Sequence, residues 1–124
     1  MKLNQNDVEN ANLIMAVTSD GVSINDTRIN QSCIISNNHI ILDLEIETIK
    51  DLRLHHIKQL LSVNPEIIIM GSGEQHTFPP IELLDSIAKQ NIGFEVMNNK
   101  SAARTYNVLI AEERKVACLL VIFS

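Results

Sequence analysis

Two short polar clusters, each beside an apolar run, carry the side chains of this sequence that could do chemistry. The first is Gly71-Ser72-Gly73-Glu74, directly after the run Ile67 to Met70, and the second extends from Glu95 to Asn99. In an open α/β sheet, such junctions lie at the carboxyl ends of strands, where side chains and backbone amides meet in a crevice. The sequence therefore predicts a ligand-binding crevice formed by Gly71, Ser72, Gly73, Glu74, Glu95, Asn98, Asn99 and Arg104.

The two glycines of the first cluster could let backbone N–H groups turn toward an anion or a carbonyl. The cluster is not a P-loop, because no Gly-Lys-Ser follows, and it does not complete the dinucleotide-binding spacing G-x-G-x-x-G. A tight turn that carries the chain over the sheet edge explains the same residues and is the more common use of a glycine pair. Both interpretations stay open at this point.

Arg104 falls in the opening turns of a predicted helix, where the helix macrodipole disfavours a cation by roughly 0.3 to 1 kcal/mol. A cation in such a place needs an acceptor. The candidates are Glu74, Glu95 and an external carboxylate or phosphate. We therefore expect Arg104 to be held at the crevice, either in an internal ion pair, the more common arrangement, or as a clamp for a bound anion.

The histidines do not complete a catalytic or metal-binding set. Their positions lack metal-ligand spacing, since they fall at His39, His55, His56 and His76. Only His76 is close to the predicted crevice, and no serine or cysteine nucleophile with an orienting carboxylate can be assigned beside it. The sequence thus predicts no catalytic residue, no metal site and no cofactor.

Two cysteines and one tyrosine are better explained as parts of the core. Cys33 and Cys118 each lie within an apolar, strand-like run, which predicts two buried and unbridged thiols. Tyr106 fits the buried stripe of its predicted helix, so we expect its ring in the core and its hydroxyl in a hydrogen bond.

The composition is that of one folded domain of ordinary size. The chain has 124 residues, of which 45% are hydrophobic and 20% are charged, a balance too apolar for a disordered chain. The longest apolar run, Val116 to Phe123, has eight residues, whereas a membrane-spanning helix needs roughly 20. Residues 1–12 lack the apolar core of a secretory signal, so we expect a cytoplasmic protein without a membrane span.

The charge distribution argues against nucleic acid as a partner. The net charge is -5 and the Lys and Arg residues are scattered singly, so the basic surface that phosphate-backbone binding needs is missing. Aromatic residues make up 3% of the chain and tryptophan is absent, which argues against a platform for base stacking.

Apolar periodicity indicates the elements that position the two clusters. From Leu13 to Leu44, short apolar runs alternate with turn residues such as Asp20-Gly21, which predicts an antiparallel meander of three to five strands. Beyond it we predict a helix at 51–62, a strand at 66–70, a helix from Pro79-Pro80, a strand at 94–97, a helix from Asn98 or Asn99 to about Glu112, and a strand at 116–123. This order predicts a polar arm at residues 1–12, then a single α/β domain at residues 13–124 that forms a three-layer sandwich with an N-terminal β-meander.

The stretch PEIIIMGSGEQHTFPP and the later stretch IGFEVMNNKSAARTYNVLIAEERKV resemble one known family over about Pro65 to Leu120. This is the family of domain of unknown function 498, which includes the mitochondrial NADH dehydrogenase (complex I) assembly factor 3. Gly-Ser-Gly, Phe-Pro, Glu-Val-Met and Arg-Thr-Tyr-Asn recur in that order and spacing. The resemblance implies a three-layer fold whose mixed central sheet is flanked by helices. For the mitochondrial member, it implies binding to other assembly factors and subunits rather than catalysis.

Three positions depart from the pattern of that family. Asn98-Asn99 stand where the family often has Asp-Thr, so a carboxylate expected at the crevice is neutral here. Ala103 replaces a frequent cysteine, which weakens any argument for thiol chemistry. Glu113 replaces the usual glycine before the late arginine, which puts the geometry of that turn in question.

Two hypotheses for function follow. The first is a non-enzymatic binding or assembly-type protein whose partners are other proteins, with the crevice either structural or holding a small anion. The second is a small-molecule or anion-binding protein, or an enzyme, that uses the crevice with Arg104 as the anion clamp. Homo-oligomerisation is compatible with either hypothesis.

Ile68 tests the position of the predicted core. We expect Ile68→Ala to lower the free energy of unfolding by about 2 to 5 kcal/mol, because the change removes buried methyl groups and leaves a cavity. The same change at Val8, in the polar arm, should have almost no effect. Urea denaturation measures both values, and equal losses at the two positions would show that the core is misplaced.

Overall fold

The computed structural model describes residues 10–123, which form eight strands in two sheets and three α-helices. The strands are β1 (Ile14–Thr18), β2 (Gly21–Ile24), β3 (Thr27–Ile29), β4 (Cys33–Ser36), β5 (Ile40–Ile41), β6 (Ile67–Gly71), β7 (Gly93–Met97) and β8 (Val116–Leu120). The helices are α1 (Leu54–Leu61), α2 (Ile81–Ala88) and α3 (Asn99–Ala111), and a 3-10 helix spans Ile49–Asp51. Within residues 10–123, none of the helices is long and apolar enough to cross a membrane.

The central sheet has five strands in the order β5-β4-β8-β6-β7. Strand β6 is parallel to both β7 and β8, whereas β4 is antiparallel to β8 and to β5. The sheet is therefore mixed, with parallel pairs where helices connect the strands and antiparallel pairs where β8 meets the meander. The predicted α/β three-layer sandwich with a mixed central sheet is confirmed.

Each face of the central sheet packs against its own layer. Ile69 and Cys118 point into a core shared with α3 and with strands β1 to β3, whereas Ile68 and Leu119 point into a core shared with α1 and α2. Because successive residues of a strand face opposite sides, a strand between two cores must be apolar at every position. Ile68 has no exposed surface, which confirms the predicted burial, while Val8 lies outside the described residues.

The predicted meander is divided between the two sheets. Strands β1, β2 and β3 form a separate antiparallel sheet, but β4 and β5 belong to the central sheet. The reason is burial, because all four residues of β4 are buried. A fully buried strand needs a neighbouring strand on each edge and a packed layer on each face, and the central sheet provides both. The last residues of the predicted arm are part of the fold, because Ala11 is buried and the Asn12 backbone N–H donates to the Asn37 carbonyl at 2.9 Å.

The core roles of Tyr106 and the two cysteines are confirmed. The Tyr106 side chain is fully buried, and its hydroxyl oxygen lies 2.7 Å from the Asn12 carbonyl and 3.1 Å from the Ser36 carbonyl. Cys33 and Cys118 are buried and unbridged. Burial raises the pKa of Cys33 to about 12 and raises the pKa of Cys118 further, so both thiols stay protonated near neutral pH.

Helix α3 ends in a Schellman motif in which Glu113 is the left-handed residue. The Glu113 N–H donates to the Ile110 carbonyl at 2.9 Å, and the Arg114 N–H donates to the Leu109 carbonyl at 3.0 Å. This pairing requires a left-handed residue after the cap, and Glu113 has φ 63. The turn after α3 therefore has the usual Schellman geometry, although the Cβ of Glu113 disfavours the left-handed conformation that this geometry requires.

Replacing this glutamate should stabilise the fold. We expect Glu113→Gly to raise the free energy of unfolding by about 0.5 to 1 kcal/mol, because glycine adopts positive φ without a steric penalty. Glu113→Ala is the control, since it removes the same carboxylate but keeps the Cβ and should give no gain. Equal gains from the two variants in urea denaturation would assign the effect to the carboxylate rather than to backbone strain.

His56, the third residue of helix α1, acts as a hydrogen-bond acceptor and donor at the same time. The buried His56 ring accepts the Arg53 backbone N–H at its Nδ1, at 2.9 Å, and its Nε2 lies 2.8 Å from the Leu44 carbonyl. Because a carbonyl only accepts, Nε2 carries the proton and the ring is neutral. Burial is the main cause that lowers the pKa of His56, and the hydrogen bond to Leu44 opposes part of that effect.

The protonation of His56 should make stability depend on pH. The unfolded chain, with a histidine pKa of about 6.5, binds the proton more readily than the folded chain, so the free energy of unfolding should fall as pH drops through about 6.5. We expect His56→Gln to flatten this dependence, because glutamine keeps an acceptor for the Arg53 N–H but does not titrate. Urea denaturation between pH 5 and 8 measures both slopes, and identical slopes would contradict the assignment.

Candidate functional site

The strand-end crevice, defined by Gly71–Glu74 and Asn98-Asn99, lies where β6 and β7 end and α3 begins. Asn98 is the N-cap of α3, and its Oδ1 accepts the Ser101 N–H at 2.9 Å. The Asn99 side chain is buried, with 4% of its surface exposed. Its Oδ1 accepts the Gly73 N–H at 3.0 Å and its Nδ2 donates to the Val121 carbonyl at 2.8 Å. One amide therefore joins the first turn of α3 to the chain after β6 and the chain after β8.

The two glycines leave room for this amide and for the turn beside it. A Cβ on Gly71 would lie 2.5 Å from the Asn99 Oδ1 and 2.8 Å from the Leu120 Cδ2, both too close for any side chain. Gly73 has φ 110, a backbone conformation that side chains rarely allow. The glycine pair thus has a direct structural use in the turn that follows β6.

The hydroxyl of Ser72 is also engaged within the loop. Its Oγ donates to the Gln75 carbonyl at 2.8 Å and accepts the Thr77 N–H at 2.9 Å. The Ser72 backbone N–H donates to the Met97 carbonyl at 2.9 Å, which continues the pairing of β6 with β7. A serine whose proton and lone pair are both bound to backbone groups is an anchor for the loop.

Two adjacent pockets open over the crevice. The first has a volume of about 410 Å³ and lies between Ser72–Gln75 and the segment Glu47–Lys50. The second, of about 420 Å³, lies between the crevice and the β1–β2 turn, and Lys100, Thr18 and Ser19 are among its lining residues. Glu74, Asn99 and Ser19 line both pockets. Of the predicted site residues, the structure brings Gly71, Ser72, Gly73, Glu74, Asn98 and Asn99 together.

Arg104 and Glu95 lie elsewhere, and the expected ion pair of Arg104 with Glu74 or Glu95 is not formed. Arg104 is exposed and makes no hydrogen bond or ion pair with any residue of 10–123. It is the sixth residue of α3, beyond the first turn, where the macrodipole penalty has faded and water solvates the guanidinium. Glu95 is exposed in β7, the edge strand of the central sheet.

His76 caps the outer edge of β7. Its Nε2 lies 3.2 Å from the Val96 carbonyl, and its ring packs edge-on against Phe78 with 4.7 Å between the ring centroids.

Some residues around the pockets were not predicted from the sequence, because they come from distant turns. Examples are Ser19, Thr48 and Lys50. No spacing in the sequence links them to the crevice. Lys100 could have been predicted as a pocket residue, because it directly follows Asn98 and Asn99 in the sequence.

Comparisons with known proteins agree with this geometry. A family model described as a protein of unknown function, DUF498/DUF598, matches residues 14–121. An NMR structure of a protein from Xanthomonas campestris superimposes with a TM-score of 0.82 at 31% sequence identity, covering 98% of this chain and 92% of that chain.

Two curated relatives carry descriptive names. The chain is 36% identical over 77 residues to the "13 kDa major membrane protein" of Francisella tularensis, a match that covers 62% of this chain and 63% of that protein. It is 26% identical over 110 residues to the NADH dehydrogenase (ubiquinone) 1 alpha subcomplex assembly factor 3 of Xenopus tropicalis, which covers 87% of this chain and 60% of that protein. The chain therefore spans less than two thirds of the length of either relative.

The Asn99 amide should be a large contributor to stability. We expect Asn99→Ala to lower the free energy of unfolding by about 1 to 3 kcal/mol, because it leaves the Gly73 N–H and the Val121 carbonyl without their partners. Lys100→Ala, at the exposed neighbouring position, is the control and should stay within about 0.5 kcal/mol of the wild type. Urea denaturation measures both variants, and hydrogen exchange at the Gly73 amide should be faster in Asn99→Ala. An unchanged Gly73 exchange rate would contradict this role.

Proposed function

Since this chain belongs to the family of proteins of unknown function DUF498/DUF598, we propose that it is a non-enzymatic, assembly-type protein that works by binding other proteins. The observation that carries the proposal is that the polar side chains of the crevice are already hydrogen-bonded within the chain. The Ser72 hydroxyl and both ends of the Asn99 amide are bound to backbone atoms of the same chain. These groups hold loops together and offer no free proton acceptor or nucleophile to a substrate.

The relatives support the same proposal from a different direction. One of them is named as an assembly factor for NADH dehydrogenase, and an assembly factor acts by contacting the proteins that it helps to combine. Exposed apolar side chains on this chain fit such contacts. Phe78, three residues before α2, and Ile81, the first residue of α2, have 66% and 77% of their surfaces exposed, and exposed apolar patches commonly mark interaction surfaces.

Chemical cross-linking followed by affinity capture tests this function. The tagged chain is expressed at its natural level in its source cells, cross-linked, and captured beside a tag-only control and beside the Ser72→Ala variant. We expect a reproducible set of proteins to be enriched with the wild type and retained by Ser72→Ala, because the proposed function does not use the hydroxyl chemically. Failure of the wild type to enrich any protein over the tag-only control would overturn the proposal.

A second candidate function is small-ligand binding over the crevice, favoured by the size of the 410 Å³ pocket. Pockets of about 300 to 1,000 Å³ commonly hold small molecules. Its nearby cations are Lys50 and, in the adjoining pocket, Lys100, rather than the expected Arg104. This candidate requires that phosphate or citrate raise the melting temperature of the wild type and of Arg104→Met, but not that of Lys50→Met combined with Lys100→Met.

A further inference from the structure

Helix α3 and strand β1 lie side by side and enclose a groove that we call the α3–β1 groove. It has a volume of about 290 Å³ and is lined by residues 14–17 of β1 and by Lys100, Ala103, Arg104 and Asn107 of α3. Strand β1 is the outer strand of its sheet, so the edge that faces the groove has no neighbouring strand. At one end, the Asn107 side chain pairs with this edge: the Ile14 N–H donates to its Oδ1 at 3.0 Å and its Nδ2 donates to the Ile14 carbonyl at 2.7 Å.

The helix and the strand run antiparallel along the groove. Ile14 lies against Asn107, while Val17 and Lys100 line both the groove and the pocket over the crevice. The three steps from Ile14 to Val17 cover at most about 10 Å at the rise of a strand, because the register of β1 with β2 shifts between Ile14 and Ala16. The seven steps from Asn107 back to Lys100 also cover about 10 Å at the rise of a helix. The groove is therefore an elongated channel that continues into the strand-end crevice.

The groove carries positive charge on an otherwise acidic protein. The net charge of the chain is -5, yet none of the described residues that line the groove is acidic. Lys100 and Arg104 are exposed, and neither side chain makes a hydrogen bond or an ion pair with residues 10–123. Two cations and the part of the β1 edge beyond Ile14 thus face the same channel.

The spacing of the two cations matches an extended chain. Lys100 and Arg104 are four residues apart on α3, or about 6 Å along the helix axis. Side chains at positions i and i+2 of a strand lie on the same face and about 6.7 Å apart. Carboxylates at alternate positions of an extended segment would therefore meet Lys100 and Arg104 in turn, while the backbone of that segment lies along the open edge of β1.

We propose that the α3–β1 groove docks an extended segment of a partner protein that carries acidic side chains at alternate positions. This inference rests on the proposed protein-binding function and names the chemistry of the partner. The complementary charges fix the register of the segment and speed its association. The exposed Met15 side chain, at 64% exposure, supplies apolar contact for the residues between the acidic ones.

Fluorescence anisotropy with short labelled peptides tests the groove directly. One peptide alternates glutamate with valine, and a second has the same composition with its glutamates contiguous. We expect the alternating peptide to bind the wild type and to bind about tenfold more weakly to the double variant Lys100→Glu with Arg104→Glu, since charge reversal replaces attraction with repulsion. The control is Lys58→Glu with Lys89→Glu, which changes the net charge equally at exposed positions on α1 and after α2, and which should bind like the wild type.

Three outcomes of the peptide assay would overturn the docking proposal. Equal weakening by the two double variants would indicate a general charge effect, and equal binding of the two peptides would contradict an extended register. Displacement of the peptide by free citrate or inorganic phosphate at low millimolar concentration would identify a small-anion site. Circular dichroism and melting temperatures confirm that each variant is folded before it is compared.

The captured partners separate this inference from the proposed function. If Lys100→Glu with Arg104→Glu loses proteins that the wild type and the control variant capture, and the alternating peptide binds as expected, the groove is the docking site. If the groove variant captures the same proteins as the wild type, the docking proposal is wrong while the protein-binding function stands. If the wild type itself captures nothing, it is the proposed function that fails.

Discussion

The arrangement of the crevice depends on one buried amide. Asn99 stands at the first turn of α3 and joins the chain after β6 to the chain after β8, so the three segments that meet there have one common hydrogen-bonding partner. A buried amide is tolerated only when its polar atoms are bound, and both of these are. The requirement extends outward: Gly71 must lack a side chain because the amide occupies that space, and the loop after it turns through Gly73 to present its N–H.

For function, the polar groups of the crevice differ from the exposed side chains, because the crevice groups already hydrogen-bond within the chain. Polar groups at the crevice floor hold backbone atoms of the same chain, and the core thiols remain protonated. By contrast, the charged side chains of Lys100 and Arg104 and the apolar side chain of Phe78 are exposed on the surface. These exposed side chains can therefore change without loss of the fold. This agrees with the quite different names of the relatives.

The sequence predicted local structure better than it predicted long-range contacts. The predicted bounds of α3 lie within one residue of the observed Asn99–Ala111, because periodicity and capping are local properties. The split of the meander was not predictable, since β4 joins the central sheet by pairing with β8, about 80 residues later. Six site residues converge because strand ends meet by topology. The predicted ion pair of Arg104 at the crevice was wrong. The position of this side chain is set by the face of α3 on which it lies, and that face is exposed to solvent.

The position of β8 has a consequence for how the chain reaches its fold. This strand comes after all other described strands, yet it lies between β4 and β6 at the centre of the sheet. During synthesis, the antiparallel pair β4–β5 and the parallel pair β6–β7 have no common neighbour until β8 emerges from the ribosome. Both faces of the core are therefore completed late, by contacts of long sequence separation that form slowly. Until then these edges of β4 and β6 are unpaired, and the nascent chain exposes them to chaperones and to other nascent chains.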